Sequence, residues 1–394
     1  MTVTHTPPGT GLDPVAAAAG LVPLLKEHAA ATADARRLPE PVVTALTEAG
    51  LFALRKPARY GGAEASARTV VDTVAELARG DGSAAWVVGV NAITMWMAGL
   101  LPDPVQDEVF ASPDVRLCGT LSPSGMCAPA DGGYVLDGRW GFISGALHAD
   151  WQIIVALAPT PDGASFWPVL TVVPLSELTV VDDWDAFGLR GTGSVSTVAE
   201  GVFVPAARVL PLPLVLAEQY ASEANAASPV WQAPLLPTAS ALSVGVASGL
   251  ARAAREAFLD RLPGRKITYT SYESQAEAPV THLRLAEATH LADESLFHAH
   301  RVAALVDGKA GAPWTAEERA AARASLGRAC ELAKRSADAF AEAGGGSSVY
   351  RDVPLQRIAA DAAAIGLHAL MHPATNAELY GRVLCGLEPN TLYF

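Results

Sequence analysis

The sequence predicts an α+β chain in three parts: helical, then β, then helical again. Apolar residues recur at helical spacing up to about residue 110, and from about 115 to 208 the pattern becomes strand-like alternation broken by turn residues. Long helical periodicities return after a proline-rich connector at residues 205–213. The parts are an N-terminal α-helical domain (1–113), a central β-domain built as a barrel or sandwich (114–215) and a C-terminal helical-bundle domain (216–394). No internal repeat is visible.

In the first part, Asp13 caps a helix whose first turn carries Pro14. A second helix from Pro41 stops at Gly50, a linker follows through Gly62, and helices resume to Phe110. Ala84 to Leu101 is uncharged and long enough for a bilayer. It carries Asn91, lies between Asp81 and Asp103 and has no flanking basic cluster, so a buried helix is predicted. Ser228 to Ala251 is also uncharged, but its prolines spoil it as a span. In the second part, Gly133 to Ile143 reads as two strands around an Asp137-Gly138 turn. Strands are also expected at Gln152–Leu157, Pro168–Val173 and Val198–Val204. In the third, His282–Val306 and Thr315–Ala343 suit antiparallel helices of a four-helix bundle, and Gly344-Gly345-Gly346 precedes a last pair.

Composition excludes several classes of function. With 50% hydrophobic and 18% charged residues the chain is expected to fold around a sizeable core. A net charge of −13 argues against nucleic acid as a partner. Cys118, Cys127, Cys330 and Cys385 form no CxxC pair, so neither a zinc site nor a disulfide framework is predicted. Met1 to Gly20 does not read as a signal peptide, and a cytoplasmic protein without membrane attachment is the expectation. No Rossmann or P-loop glycine motif occurs where one would be required.

The stretch Gly133–Trp151 is the most informative. Trp140, Phe142 and Ser144 follow one another at a spacing of two, which places them on one strand face. A flat apolar wall ending in a hydroxyl suits a planar heteroaromatic cofactor that needs one hydrogen bond at its edge; aromatics packed into a core are the structural alternative. Gly188-Leu-Arg190-Gly-Thr192-Gly-Ser194 is either a plain turn or a source of donors. Leu117-Cys118-Gly119-Thr120 reads as a strand end, and Arg265-Lys266 as charge after a long helix. His368 and His372 stand at i, i+4 on an expected helix; without an accompanying HExxH glutamate no metal site is predicted.

These segments resemble the acyl-CoA dehydrogenase superfamily over nearly the whole chain. The likeness is carried by EAGLFALRKPARYGG at 48–62, by 133–151, by GLRGTGS ahead of EGVFVP, and by 354–390. It is closest to the branch of two-component flavin-dependent monooxygenases. Dehydrogenases carry a Thr-Glu motif followed by Gly-Ser where this chain has Ser122–Cys127. They often carry a Glu base eight residues beyond the position of Asp361, which here is Ala369. The monooxygenase branch carries a His seven residues beyond, which here is His368.

The resemblance implies an acyl-CoA-dehydrogenase-like fold that receives reduced flavin, FMN or FAD, from a separate NAD(P)H:flavin reductase. Reaction with O2 would give a C4a-hydroperoxide that oxygenates a small organic substrate, in secondary metabolism or aromatic catabolism. It places Trp140 and Phe142 against the flavin ring and Ser144 at N5. Cys118, Gly119 and Thr120 fall at the pyrimidine side, Arg190 and Thr192 at flavin oxygens or phosphate, and Arg265 at a pyrophosphate, often of an adjacent subunit of a homotetramer. Catalytic roles fall to Ser144, His368 and His372. Trp86, Asn91, Trp96 and His148 are the candidate substrate-side residues. The competing readings are an acyl-CoA dehydrogenase with bound FAD and Glu378 as a displaced base, and a flavin-free binding relative. Retention of Ser144, the GTGS loop and His368 argues against the latter.

Overall fold

The computed structural model describes residues 13–394; most of the segment read for a leader, residues 1–12, lies outside them. The N-terminal helices are α1 (Pro14–Ala35), α2 (Glu40–Glu48), α3 (Ala67–Gly80), α4 (Gly82–Ala98) and α5 (Asp103–Val109). Asp13 caps α1 by accepting the Val15 N–H at 3.0 Å. Gly50, at φ +70°, ends the α2 segment as its sequence requires. α4, the uncharged segment, is buried along nearly its whole length. Among the described residues no helix is long and apolar enough to cross a membrane.

Seven strands follow: β1 (Leu117–Ala130), β2 (Gly133–Ile143), β3 (Trp151–Pro159), β4 (Phe166–Pro174), β5 (Thr179–Val181), β6 (Val195–Pro205) and β7 (Val209–Pro211). They form one mixed sheet in the order β5-β6-β2-β1-β3-β4-β7, with β1 parallel to β3 and the other pairs antiparallel. The expected barrel or sandwich is thus a single sheet whose edges are β5 and β7. One face carries its own core of Cys118, Leu136, Trp140, Ile154 and Val195. The other face, with Ile153, Val155 and Val172, joins the helical core.

The turn expected at Asp137-Gly138 is absent. β2 runs straight through it, and the reversal from β1 occurs at Asp131-Gly132, with Gly132 at φ +75°. The Asp-Gly pair instead meets an irregularity in the β2–β6 ladder, where Asp137 Oδ1 accepts the Gly201 N–H at 2.7 Å. Gly138 is required by packing, since a Cβ there would lie 2.7 Å from the Trp140 ring.

The last part contains α6 (Leu212–Leu216), α7 (Leu235–Arg261), α8 (Pro279–Gly308), α9 (Ala316–Ala343), α10 (Pro354–Ile365) and α11 (Pro373–Leu384). α7 is the central helix. A Cβ on its Gly245 or Gly249 would strike the α3 carbonyls of Val71 and Ala75 at 2.4 and 2.3 Å, so these glycines let the N-terminal and C-terminal helices approach closely. Thr315 and Glu318 cap α9 reciprocally. One expectation fails here: His368 and His372 do not share a helix. α10 ends at Ile365, His368 lies in the following turns, and His372 is the N-cap of α11 ahead of Pro373. The proline has no N–H to extend a preceding helix, but its fixed φ suits the start of a new one.

Candidate active site

Candidate site residues come together where α4, the end of β2, the Gly188–Ser194 loop and the turn after α10 converge. Trp86, on α4, donates its indole N–H to Ser144 Oγ at 2.9 Å. Ser144 Oγ lies 2.7 Å from Ser194 Oγ, which lies 2.6 Å from Thr192 Oγ1. Thr192 Oγ1 donates to the Leu189 carbonyl at 2.8 Å. The indole of Trp86 also meets the His368 ring edge to face, with centroids 5.2 Å apart.

The wall differs from the one expected. A register shift between Trp140 and Ile143, with Phe142 at φ +61°, breaks the alternation. Trp140 turns wholly into the sheet core and donates to the Val155 carbonyl at 2.9 Å, so it is no part of a cofactor surface. Phe142 turns outward, is 74% exposed and packs edge-on against Trp184. A left-handed non-glycine residue costs about 1–3 kcal/mol, and what it achieves here is an aromatic face displayed beside a hydroxyl. That pairing fits a flavin ring: Phe142 offers the apolar face and Ser144 a polar edge.

Solvent reaches His368, yet the surrounding protein desolvates its imidazole and lowers it from 6.5 to about 4. The ring is therefore neutral near pH 7. Its Nδ1 accepts the Leu370 N–H at 3.2 Å, which assigns the remaining proton to Nε2. His368 thus presents an N–H, suited to stabilising a developing anion. His372 uses its Nδ1 on the Thr375 N–H at 3.5 Å, so its observed role is to cap α11.

Other predicted residues are committed elsewhere. The Asn91 amide joins Phe52 O (2.6 Å) to Leu117 N (2.9 Å), and Trp96 is fully buried with its N–H on Val230 O at 2.7 Å. Both hold the core together and leave no group for substrate. Nε and Nη1 of Arg190 are held by Ala33 O, Asp185 and Ala186 O, which leaves Nη2 to face the cleft, and the Thr192 hydroxyl is held by its two partners. Cys118 points into the sheet core, and burial raises its thiol far above the ordinary value. Gly119 is demanded by β3, because a Cβ there would lie 2.5 Å from Ile153 O. Thr120 is half-buried and accepts the Ser122 N–H at 3.2 Å. His148 sits against Arg116, whose Nε donates to its carbonyl; its own Nε2 is buried without a partner, and desolvation, then Arg116, lower its imidazole. Arg265 donates to Gly344 O at 2.6 Å, so within one chain it meets the end of α9.

Sequence reasoning assigned no role to a buried carboxylate pair. Asp361 on α10 accepts the Leu189 N–H at 2.6 Å, and Asp81 caps α4 through Ser83 N at 3.1 Å. Burial raises Asp81 to about 6, while burial and then the Asp81 charge raise Asp361 to about 7. The available signal was Asp361 itself, a lone charge inside the apolar run Ile358–Ile365. Asp361 lines a cleft of about 270 Å³ with Ser83, Phe187, Arg190 and Arg357, and both carboxylates line a smaller one of about 150 Å³.

Among the described residues no carboxylate stands at the motif position of a dehydrogenase base. Ala369 occupies its motif position, and Glu378 is exposed and bonded to Asn390 at 3.1 Å. Among the described residues no group of three His, Cys, Asp or Glu side chains could hold a metal ion.

Comparison with known proteins agrees with this fold. Residues 21–103 match the family described as acyl-CoA dehydrogenase, N-terminal domain, and residues 241–373 the acyl-CoA dehydrogenase, C-terminal domain. The chain is 30% identical to the FADH(2)-dependent resorcinol hydroxylase, oxygenase component, of Rhizobium sp. (strain MTP-10005), covering 95% of this chain and 94% of the relative. It is 32% identical to the flavin-dependent monooxygenase oxygenase subunit HsaA of Rhodococcus jostii (strain RHA1), covering 93% and 97%. The structure of XiaF from Streptomyces sp. in complex with FADH2 and glycerol superposes with a TM-score of 0.89 at 28% identity, covering 96% of each chain. The chain belongs to the acyl-CoA dehydrogenase superfamily, among the oxygenase components of flavin-dependent monooxygenases.

Proposed function

We propose that this oxygenase component takes reduced flavin from a separate NAD(P)H:flavin reductase and hydroxylates a small phenolic substrate. The observation that carries this reading is the convergence of Trp86, Ser144 and His368 beside the exposed Phe142. The names of relatives acting on resorcinol and on p-hydroxyphenylacetate support the substrate class.

Reduced flavin, when bound, supplies the electrons that activate O2. Phe142 would hold the ring face and Ser144 the N5 edge. The His368 Nε2–H would hydrogen-bond the oxygen of a phenolate and so favour the ionised substrate, whose ring carbons are richer in electrons than those of the phenol, the phenolic proton leaving to solvent. Trp86 fixes the Ser144 oxygen with its N–H and offers its indole as one wall of a water-poor site.

The reading extends to a cytoplasmic homotetramer. Four free cysteines accord with a reducing compartment. Leu283 and Phe297, on one face of α8, are 73% and 64% exposed and suit a subunit contact, and Arg265, with one Nη on the Gly344 carbonyl, would turn its other donors to a neighbouring subunit's flavin pyrophosphate. The test is incubation with NADH, a generic flavin reductase, O2 and a panel of phenols. A product gaining one oxygen atom by mass spectrometry supports the assignment. Oxidation of an acyl-CoA to its enoyl product without O2 overturns it.

A further inference from the structure

The hydroxyls that meet at Ser144 have one possible proton order. Trp86 Nε1 can only donate, and the Leu189 carbonyl can only accept. Between them stand three hydroxyls, each with a single proton: Ser144, Ser194 and Thr192. Each of the contacts in the chain needs one proton, and the indole and hydroxyls supply just enough. The order is therefore Trp86 N–H to Ser144, Ser144 O–H to Ser194, Ser194 O–H to Thr192, and Thr192 O–H to Leu189 O. Reversing any link would set two oxygens against each other without a proton, at 2.6 to 2.8 Å.

The acceptor end is fixed by the fold. Leu189, at φ +50°, has its N–H on Asp361 at 2.6 Å, and the Gly191 N–H is on Ser83 Oγ at 3.1 Å. The Leu189 carbonyl also receives the Thr192 N–H at 3.2 Å and the Trp184 indole N–H at 3.3 Å. Elements from both helical domains thus clamp the loop that terminates the relay.

The consequence lies at Ser144. Its proton is committed to Ser194 and one lone pair to Trp86, which leaves one lone pair to offer. Oxidised flavin has a bare N5 that can only accept a hydrogen bond, whereas two-electron reduction places a proton on N5 and makes it a donor. We propose that the relay fixes the Ser144 oxygen as an acceptor and makes the site select reduced over oxidised flavin, with Ser194 and Thr192 as positioning residues. This rests on reading the site as one for reduced flavin, and it assigns the redox selectivity to groups behind the one that meets the cofactor.

The experiment is anaerobic equilibrium titration with FMN and FAD, each oxidised and dithionite-reduced, monitored by fluorescence without turnover. Wild-type protein is expected to bind the reduced form more tightly. Ser194→Ala and Thr192→Val release the Ser144 proton, so the ratio of oxidised to reduced Kd should fall about twofold to tenfold, the worth of one hydrogen bond. Thr192→Ser restores the relay and should restore the ratio. The proposal is overturned by equal wild-type affinity for the two redox states, by an unchanged ratio in a folded Ser194→Ala, or by Thr192→Ser behaving like Thr192→Val. If Ser194→Ala does not fold, the wild-type ratio and the Thr192 pair decide. Failure of wild-type protein to bind either form sinks the reduced-flavin reading itself; reduced-flavin binding with variant-independent ratios sinks only the relay.

Discussion

Asp361 on α10 accepts the backbone N–H of Leu189 at 2.6 Å, so a carboxylate from the C-terminal helices sets the loop that carries Thr192 and Ser194. Seven residues further on, the same segment delivers His368 to Trp86. The relay and the imidazole are thus positioned by one stretch of chain, residues 361–368.

The Asp81–Asp361 pair makes stability depend on pH. Both folded-state values lie above the ordinary carboxylate value of 3.8, at about 6 and about 7, so the folded state holds protons that the unfolded state releases. The resulting stabilisation is complete below about pH 4 and is lost as pH rises through 6 to 7. Arg357 faces both carboxylates and reduces the effect, and the Leu189, Ser83 and Ala84 N–H groups act in the same direction. Asp361→Asn keeps an acceptor for Leu189 but cannot ionise. Between pH 5.5 and 8 the thermal midpoint of the wild type should fall more than that of Asp361→Asn; parallel curves would remove the pair as the cause.

His368→Ala should lower product formation at least tenfold while changing thermal stability little, because the imidazole has few partners: the edge-to-face Trp86 indole and the Leu370 N–H. His372→Ala should do the reverse: little effect on product, and a loss of about 1 kcal/mol from the uncapped α11. Since His368 is held near 4, it contributes no acidic limb at pH 6.5 to product formation. A limb at 6.5 that disappears in His368→Ala would show that the imidazole titrates as in water and would remove the desolvation argument.

The order of helices, strands and helices was legible because periodicity is local, and so were the Asp13 cap, the Gly50 stop and the burial of α4. Ser144, Trp86 and His368 were readable as candidates, and the structure brings the three side chains together. What the sequence hid depended on tertiary geometry. Trp140 and Phe142 are two apart and should share a face, yet one positive φ at Phe142 sends them to opposite sides. Asp137-Gly138 has turn chemistry, but its glycine answers to the Trp140 ring. Asn91 and Trp96 interrupt an apolar helix because they bond backbone groups of distant segments, which no local pattern reveals.

Ser144→Ala should uncouple the enzyme. It removes the hydroxyl at the proposed N5 edge and leaves Trp86 Nε1 and Ser194 Oγ without their shared partner. One such hydrogen bond is worth about 0.5–1.5 kcal/mol, or roughly a twofold to tenfold change. The variant should fold, release hydrogen peroxide faster and form less product per NADH consumed. Wild-type coupling in the folded variant would exclude Ser144 from the cofactor edge.

Assembly offers the last test. Leu283 and Phe297 lie fourteen positions apart on α8, close to four full turns, and therefore share its outer face. Both are largely exposed in the single chain, as are Leu384, Leu387 and Leu392 at the C-terminal end. Leu283 and Phe297 stand about 21 Å apart along the helix, so a partner helix laid lengthwise on α8 would cover both. Light scattering should report a homotetramer for the wild type and smaller species for Phe297→Glu. Because Arg265 is proposed to reach a neighbouring subunit's flavin, the smaller species should also bind reduced flavin more weakly. A stable wild-type monomer with full activity would exclude both the contact on α8 and the shared site.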